Sequence, residues 1–349
     1  MKKTSLLPTL HRTLRFTGES VAFYFQAVLG HFKLLMQRRS IDRLLAGASL
    51  APKLKRQLEA VQRIRNFARN ELGLPAKRQY NRYVELGRLY PVWSVTAAPE
   101  LSLRPLTWHY WFVGRQSYRG FFDEGKARKF ADELEQKGWE VYLSGIPAYS
   151  TLGWFSDPVL SSFVHQPEGD LAELIFHELT HQVLFVPGDT VFNESLAVMV
   201  ADEGLRRYSV IYPQDIGRIE LARTRRNDFV RLVLSFRQQL HQLYAMILPD
   251  EIKRERKAVI MADLREAYTR QKEQWGGYSG YDAWFAAANN ARLNAVGTYH
   301  DLVPALRALL QSVGGDLPLF FEQCRQLAKL TQSARHESLQ SLLENPTSS

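Results

Sequence analysis

Between Leu171 and Tyr208 the chain reads LAELIFHELTHQVLFVPGDTVFNESLAVMVADEGLRRY, and this stretch constrains the fold more than any other. Leu171, Leu174, Ile175, Phe176, Leu179, Val183, Leu184 and Phe185 point in nearly every direction around a helix axis, which predicts a buried helix. Inside that helix stand His177, Glu178 and His181. Such groups are costly in apolar surroundings unless they are paired or bound to a metal. Positions 177 and 181 are four apart, so their side chains share one helix face, one turn apart, and both imidazoles can reach one ion. Glu178 points about 100° round the axis. It is placed to take a proton from a water on that ion rather than to join the histidines as an equivalent ligand.

A third ligand is expected close by. Pro187-Gly188-Asp189 stops the helix, and Asp189 or Thr190 can cap the next one. If the first helix ends near Val186 and an antiparallel one starts near Thr190, Glu194 stands about 6 Å up the return helix. That is the height of His181. Glu194 shares a face with Ala197, Val198, Ala201 and Leu205, and a lone carboxylate on an apolar face is an anomaly that a metal resolves. The sequence therefore predicts one Zn²⁺ held by His177, His181 and Glu194, with Glu178 as general base and the fourth position left for water. His165, in a loop nearby, is not expected to be a ligand.

These residues carry a resemblance. His177-Glu178-Leu179-Thr180-His181 followed by Asn193-Glu194-Ser195-Leu196-Ala197 resembles the gluzincin metallopeptidases, in which the glutamate of the second motif is the third zinc ligand. The connection departs from the pattern, being shorter here than in the large zinc aminopeptidases. More specifically, the chain resembles a bacterial family of metal-dependent aminopeptidases over most of its length. Ser117 to Phe122 (SYRGFF), Pro147 to Phe155 (PAYSTLGWF) and Asn289 to Leu293 (NNARL) belong to that resemblance. It implies a zincin-like core, a peptide substrate and removal of amino-terminal residues. Many relatives begin with an export signal and a lipid-attachment cysteine and carry two cysteines in a strand pair. The corresponding strand positions here are His109 and Arg115.

Composition narrows the partners. A chain of 349 residues with 45% hydrophobic residues has ample material for a core, and no Pro/Gly/Ser-rich linker divides it. The net charge of +9 gathers in Lys2–Arg15, Lys53–Arg69 and Arg218–Arg237. No recognised module interleaves these cations with aromatics, so solvated helix faces are expected and nucleic acid is not; weak contact with an anionic membrane surface stays open. The single cysteine, Cys324, excludes an intrachain disulfide. Thr4 to Leu10 is too short and too polar for an export signal, and no apolar run reaches membrane-spanning length, so a cytoplasmic protein is expected. The oligomeric state is not legible.

The expected fold class is α+β, mainly α: a zincin-like metallopeptidase with a small antiparallel sheet before the histidine helix and a helical C-terminal half. Residues 1–75 read as a helical extension, 76–210 as the catalytic core, 211–343 as helices completing the cleft, and 344–349 as a frayed tail. Residues 17–38 form an amphipathic helix by their periodicity. Tyr90 to Val113 holds two strands of an antiparallel sheet, and Trp139 to Leu143 another. Ser144 to Phe155 is extended and suited to pairing with a substrate backbone. Tyr149 and Trp154 within it are core or cleft aromatics. A helix capped by Asp282 is expected to contain Asn289-Asn290.

Hydrolysis also needs a donor for the oxygen that becomes negative. Tyr299 is the first candidate, Asn290 the second and Tyr278 the third. Glu173, Asp157 and Asp202 are candidates to hold a substrate amine, and Asp202 or Glu203 to orient a histidine. The expected function is zinc-dependent peptide hydrolysis. The alternatives are a metal-stabilised regulatory or scaffolding protein and a non-peptide amide or epoxide hydrolase. The intact Glu178 argues for turnover, because a structural zinc has no use for a base.

Overall fold

A computed structural model describes residues 36–47, 50–110, 114–148, 156–213 and 216–344. The helix expected over 17–38 falls outside these residues up to position 35, and Tyr149 and Trp154 lie outside them too. The described chain is mainly helical with three small sheets.

The sheet that matters for the site has Val92–Pro99 at its centre, antiparallel to Arg119–Phe121 on one side and to Trp139–Ile146 on the other. Side chains alternate between its faces. Val95 and Ala97, with Val141 and Leu143 opposite, pack against Ala127, Phe130, Ala131 and Leu134 of helix Glu124–Glu135. Val92, Ser94 and Ile146 turn to the other face and line a cleft. The helix Asn290–His300 packs against this sheet as well, with Arg292 over the Tyr142 ring at 4.5 Å.

Both strands expected between Tyr90 and Val113 form, but they do not pair with each other. The second, Trp108–Tyr110, makes a separate two-stranded sheet with Gly114–Gln116. The segment after Pro99 turns back on the central strand, Leu106 N–H donating to Ala97 at 2.8 Å, instead of entering its ladder as a strand. His109 and Arg115 stand directly opposite each other in this hairpin. The third sheet contains a parallel pair, Arg82–Val84 beside Val159–Leu160, so the strands are not all antiparallel.

The main apolar cluster draws on three separate stretches of the described chain. It joins Ile64 and Phe67 of helix Pro52–Asn70 to Ile175 and Leu179, to Leu196 and Val200, and to Leu306, Phe320, Cys324 and Leu339 near the C-terminus. The three stretches read from sequence thus share one core. Helices Ile216–Ala245 and Asp250–Gln274 pack together through Val233, Leu240, Met261 and Leu264. The helix beginning at Asp282 is broken after Ala286. Asn289 then caps a new one, its side chain accepting from Arg292 N–H at 2.9 Å. Asp282 is not a cap; it receives the hydroxyl of Tyr268 and the ammonium of Lys272. Among the described residues no helix is long and apolar enough to cross a membrane.

Candidate metal centre and cleft

The histidine helix spans Glu168–Val183 and the glutamate helix Thr190–Ile211, packed against each other. Leu171, Ile175, Phe176 and Leu179 are fully buried, as an all-round apolar helix requires. Asp189 caps the return helix, accepting from Phe192 N–H at 3.1 Å. Gly188 supplies the positive φ of 84° in the turn before it.

This arrangement brings three ligand atoms to one point. Nε2 of His177 and Nε2 of His181 are 3.2 Å apart. Oε2 of Glu194 is 3.3 Å from the first and 3.6 Å from the second. A tetrahedral ion with bonds of about 2.0–2.1 Å separates its ligand atoms by about 3.3–3.4 Å. The triangle therefore has the dimensions of one face of such a site. All three groups belong to the one His/Glu cluster of this kind among the described residues. Nδ1 of His181 is buried without a hydrogen-bond partner among the described residues. Two imidazoles turned on one carboxylate inside an apolar helix pair are the donor set a cation resolves.

The electrostatics separate the two carboxylates. Burial alone would raise the Glu194 pKa, but His181 and His177 outweigh it and hold the carboxyl down at about 2. Burial raises the Glu178 carboxyl, and the two histidines only partly oppose it. One acid is fixed as an anion among imidazoles; its neighbour is made more basic, as a proton acceptor requires. Burial works against a charge on His181, yet Glu194 reverses this and raises its pKa.

A cleft of about 170 Å³ opens over these groups. Val92, Ser94, Gly120, Ile146 and Ala148 form its sheet side, Phe185 follows from the end of the histidine helix, and Tyr118 and Tyr299 add two phenols. Tyr299 comes from the last turn of helix Asn290–His300, with its ring stacked on His177 at 6.2 Å and 26°. Glu194, and then burial, keep its hydroxyl protonated far above the ordinary phenol range. Tyr118 sits on the bend between Gly114–Gln116 and Arg119–Phe121. Reading the sequence for chemistry missed it; its only signal was its place within SYRGFF.

The other predicted residues stand elsewhere. Asn290 is fully buried and does not line the cleft. Its amide donates to Pro99 and Glu100 carbonyls, both at 2.9 Å, and accepts from Tyr244 at 3.0 Å. Those bonds tie its helix to the end of the central strand. Tyr278 is exposed under the Arg225 guanidinium, and His165 is exposed outside the triad. Glu173 pairs with Arg226, Asp202 with Arg223 and Arg307, and Asp157 receives Gln182. Glu203 pairs with Arg206 and Arg207. Among the described residues, the carboxylates of the cleft are Glu178 and Glu194.

The model of a family described as "Putative aminopeptidase" matches residues 22–339. The chain belongs to that family, and the membership points to peptide hydrolysis. No curated protein and no solved structure matches the chain.

Proposed function

We propose that this chain is a zinc-dependent peptidase of zincin-like build that removes amino-terminal residues from peptides. The observation that carries the metal chemistry is the triangle of His177, His181 and Glu194, with sides of 3.2, 3.3 and 3.6 Å. The amino-terminal preference rests on the family. When bound, Zn²⁺ supplies a Lewis acid for the scissile carbonyl and a water of lowered pKa. Glu178 lies beside the ligands in the cleft wall, takes the proton of the attacking water and returns it to the leaving amine. Its raised pKa suits both tasks, because a carboxylate in the ordinary range holds the transferred proton poorly. Tyr299 donates its hydroxyl to the oxygen that gains charge as the carbonyl carbon becomes tetrahedral. Trp139–Ile146 is an edge strand among the described residues; Asn289 takes the Val141 carbonyl, and the backbone of its Ser144–Ile146 end, beside the cleft, can align an extended substrate.

The test is metal analysis together with a panel of aminoacyl-4-nitroanilides, assayed with and without chelator. The zinc-loaded chain should turn them over and the chelated chain should not. Glu178→Gln should keep one zinc per chain and lose at least about 100-fold in kcat. Chelator-sensitive turnover surviving in that variant removes Glu178 as the base.

A further inference from the structure

Two phenols of the cleft, Tyr299 and Tyr118, belong to neither the metal triad nor the proton transfer, and the bend at 117–118 holds Tyr118 in place from the sheet side. The hydroxyls of Tyr83, Tyr208, Tyr244 and Tyr268 each hydrogen-bond within the protein, to Glu85, Glu168, Asn290 and Asp282. That of Tyr118, like that of Tyr299, has no such partner among the described residues, although both phenols line the cleft with Glu178 and Glu194. A hydroxyl set in a cleft without a protein acceptor is free to serve a bound molecule.

Its position is fixed by the turn that joins the two ligand helices. The Gly114 end of its hairpin lies so close to that turn that a Cβ on Gly114 would meet the Gly188 nitrogen at 2.9 Å. Two residues on, the buried Gln116 side chain accepts from the Thr190 hydroxyl at 2.9 Å. Tyr118 follows two residues later. The phenol is thus registered against Gly188 and Thr190, between His181 and Glu194 in sequence. Tyr299 reaches the same cleft from the helical side, stacked on His177.

Resting on the peptidase reading above, we infer that Tyr118 is a catalytic residue, a second phenol that donates its O–H to the carbonyl oxygen of the peptide bond under attack, opposite Tyr299. Burial, with Glu194 and Glu178 nearby, holds the hydroxyl protonated well above its usual range, so it is a donor at any working pH. No proton leaves it. The bond strengthens as the oxygen gains charge and weakens as the amine departs.

The experiment compares wild type, Tyr118→Phe, Tyr299→Phe and the double variant. It follows aminoacyl-4-nitroanilide kinetics, affinity for a phosphinic dipeptide that mimics the tetrahedral carbon, zinc content and Tm. Tyr118→Phe should lower kcat about 100-fold and leave KM within about threefold. Phosphinic affinity should fall in parallel with kcat, with one zinc per chain and an unchanged Tm. The double variant should be slower than either single one. A kcat within threefold of wild type overturns the assignment. So does a rise in KM alone, which makes Tyr118 a ground-state contact, or a loss explained by missing zinc or a lower Tm. An active wild type with an equally active Tyr118→Phe variant sinks this inference alone. A zinc-loaded wild type that turns over no peptide sinks the proposed function, and this inference with it.

Discussion

Asn193 is clamped to Val186 by two hydrogen bonds: its amide donates to the Val186 carbonyl and its oxygen accepts the Val186 N–H, each at 2.8 Å. The pair spans the turn between the ligand helices and sits one residue before Glu194. It makes the amide a template for the helix–helix register, which gives the Asn of Asn193-Glu194 a physical reason.

Removing the clamp should therefore weaken metal binding as well as the fold. Asn193→Ala leaves the Val186 N–H without its partner, while the Val186 carbonyl keeps the Asp189 N–H at 3.2 Å, and the loss costs on the order of 2 kcal/mol. Groups that orient ligands commonly change metal affinity by about 10–100-fold, and a loss of that size is expected here. Zinc competition titration beside urea unfolding separates the two effects. Wild-type zinc affinity in a variant that is merely less stable would reduce the clamp to ordinary packing.

The same turn is fastened from the far end of the chain. Asp189 and Arg335 form an ion pair with both residues almost fully buried, and His336 lies 3.0 Å from the same carboxylate. Burial would raise the Asp189 pKa; His336, the Phe192 N–H and Arg335 outweigh it and hold it below its ordinary value. A depressed folded pKa gives stability that is present above the unfolded value, near 3.8, and is lost as pH falls through the folded one. Asp189→Asn keeps a helix cap but strands a buried guanidinium, so about 3–5 kcal/mol of stability should go at neutral pH. Below pH 4 the variant should lose Tm less steeply than wild type. Parallel Tm curves over that range would mean the carboxylate titrates alike in the folded and unfolded chains.

The approach of Gly114 to Gly188 gives a steric prediction. Gly114 has φ +74°, and an added Cβ would press on the turn backbone, which has no flexible side chain to move aside. Gly114→Ala should cost about 1–3 kcal/mol and displace the hairpin from Thr190. A urea midpoint equal to wild type would show that the turn yields at no cost.

The convergence of the candidate metal triad was legible because it is local. Four-residue spacing, an all-apolar helix and a Pro-Gly-Asp stop bring His177, His181 and Glu194 together with almost no long-range information. The connection came out longer than expected, because the histidine helix ends at Val183 rather than near Val186, with Leu184 already extended, while the return helix does start at Thr190. The cross-strand pairing of His109 with Arg115 was legible too, but only through the family resemblance. What could not be read depends on packing between distant segments. Asn290 looked like a donor because amides donate; the carbonyls that occupy it belong to residues about 190 positions away. Tyr118 is a site residue only because a hairpin docks on Gly188 and Thr190, and no periodicity signals that. Glu173, Asp157 and Asp202 looked free for the same reason, their partners being set by tertiary packing.

Metal removal should be visible in stability and not only in turnover. Two buried groups, His181 and Glu194, and the half-buried His177 converge on one point, and a metal that binds the folded chain adds stability that grows with its free concentration over its Kd. At a free zinc concentration 100 times Kd this contribution is about 2.7 kcal/mol. The stripped chain keeps part of the cluster's cohesion, because Glu194 stays within 3.6 Å of both imidazoles and can share a proton with them. Chelation of the wild type should therefore lower Tm by several degrees without unfolding the chain at room temperature. Glu194→Ala deletes the proposed third ligand and, among the described residues, the only carboxylate that those histidines share. Its Tm should be low from the start and should respond to neither zinc nor chelator. Differential scanning calorimetry across a zinc series measures both, and a Glu194→Ala variant whose Tm climbs with zinc as the wild type's does would remove Glu194 from the ligand set.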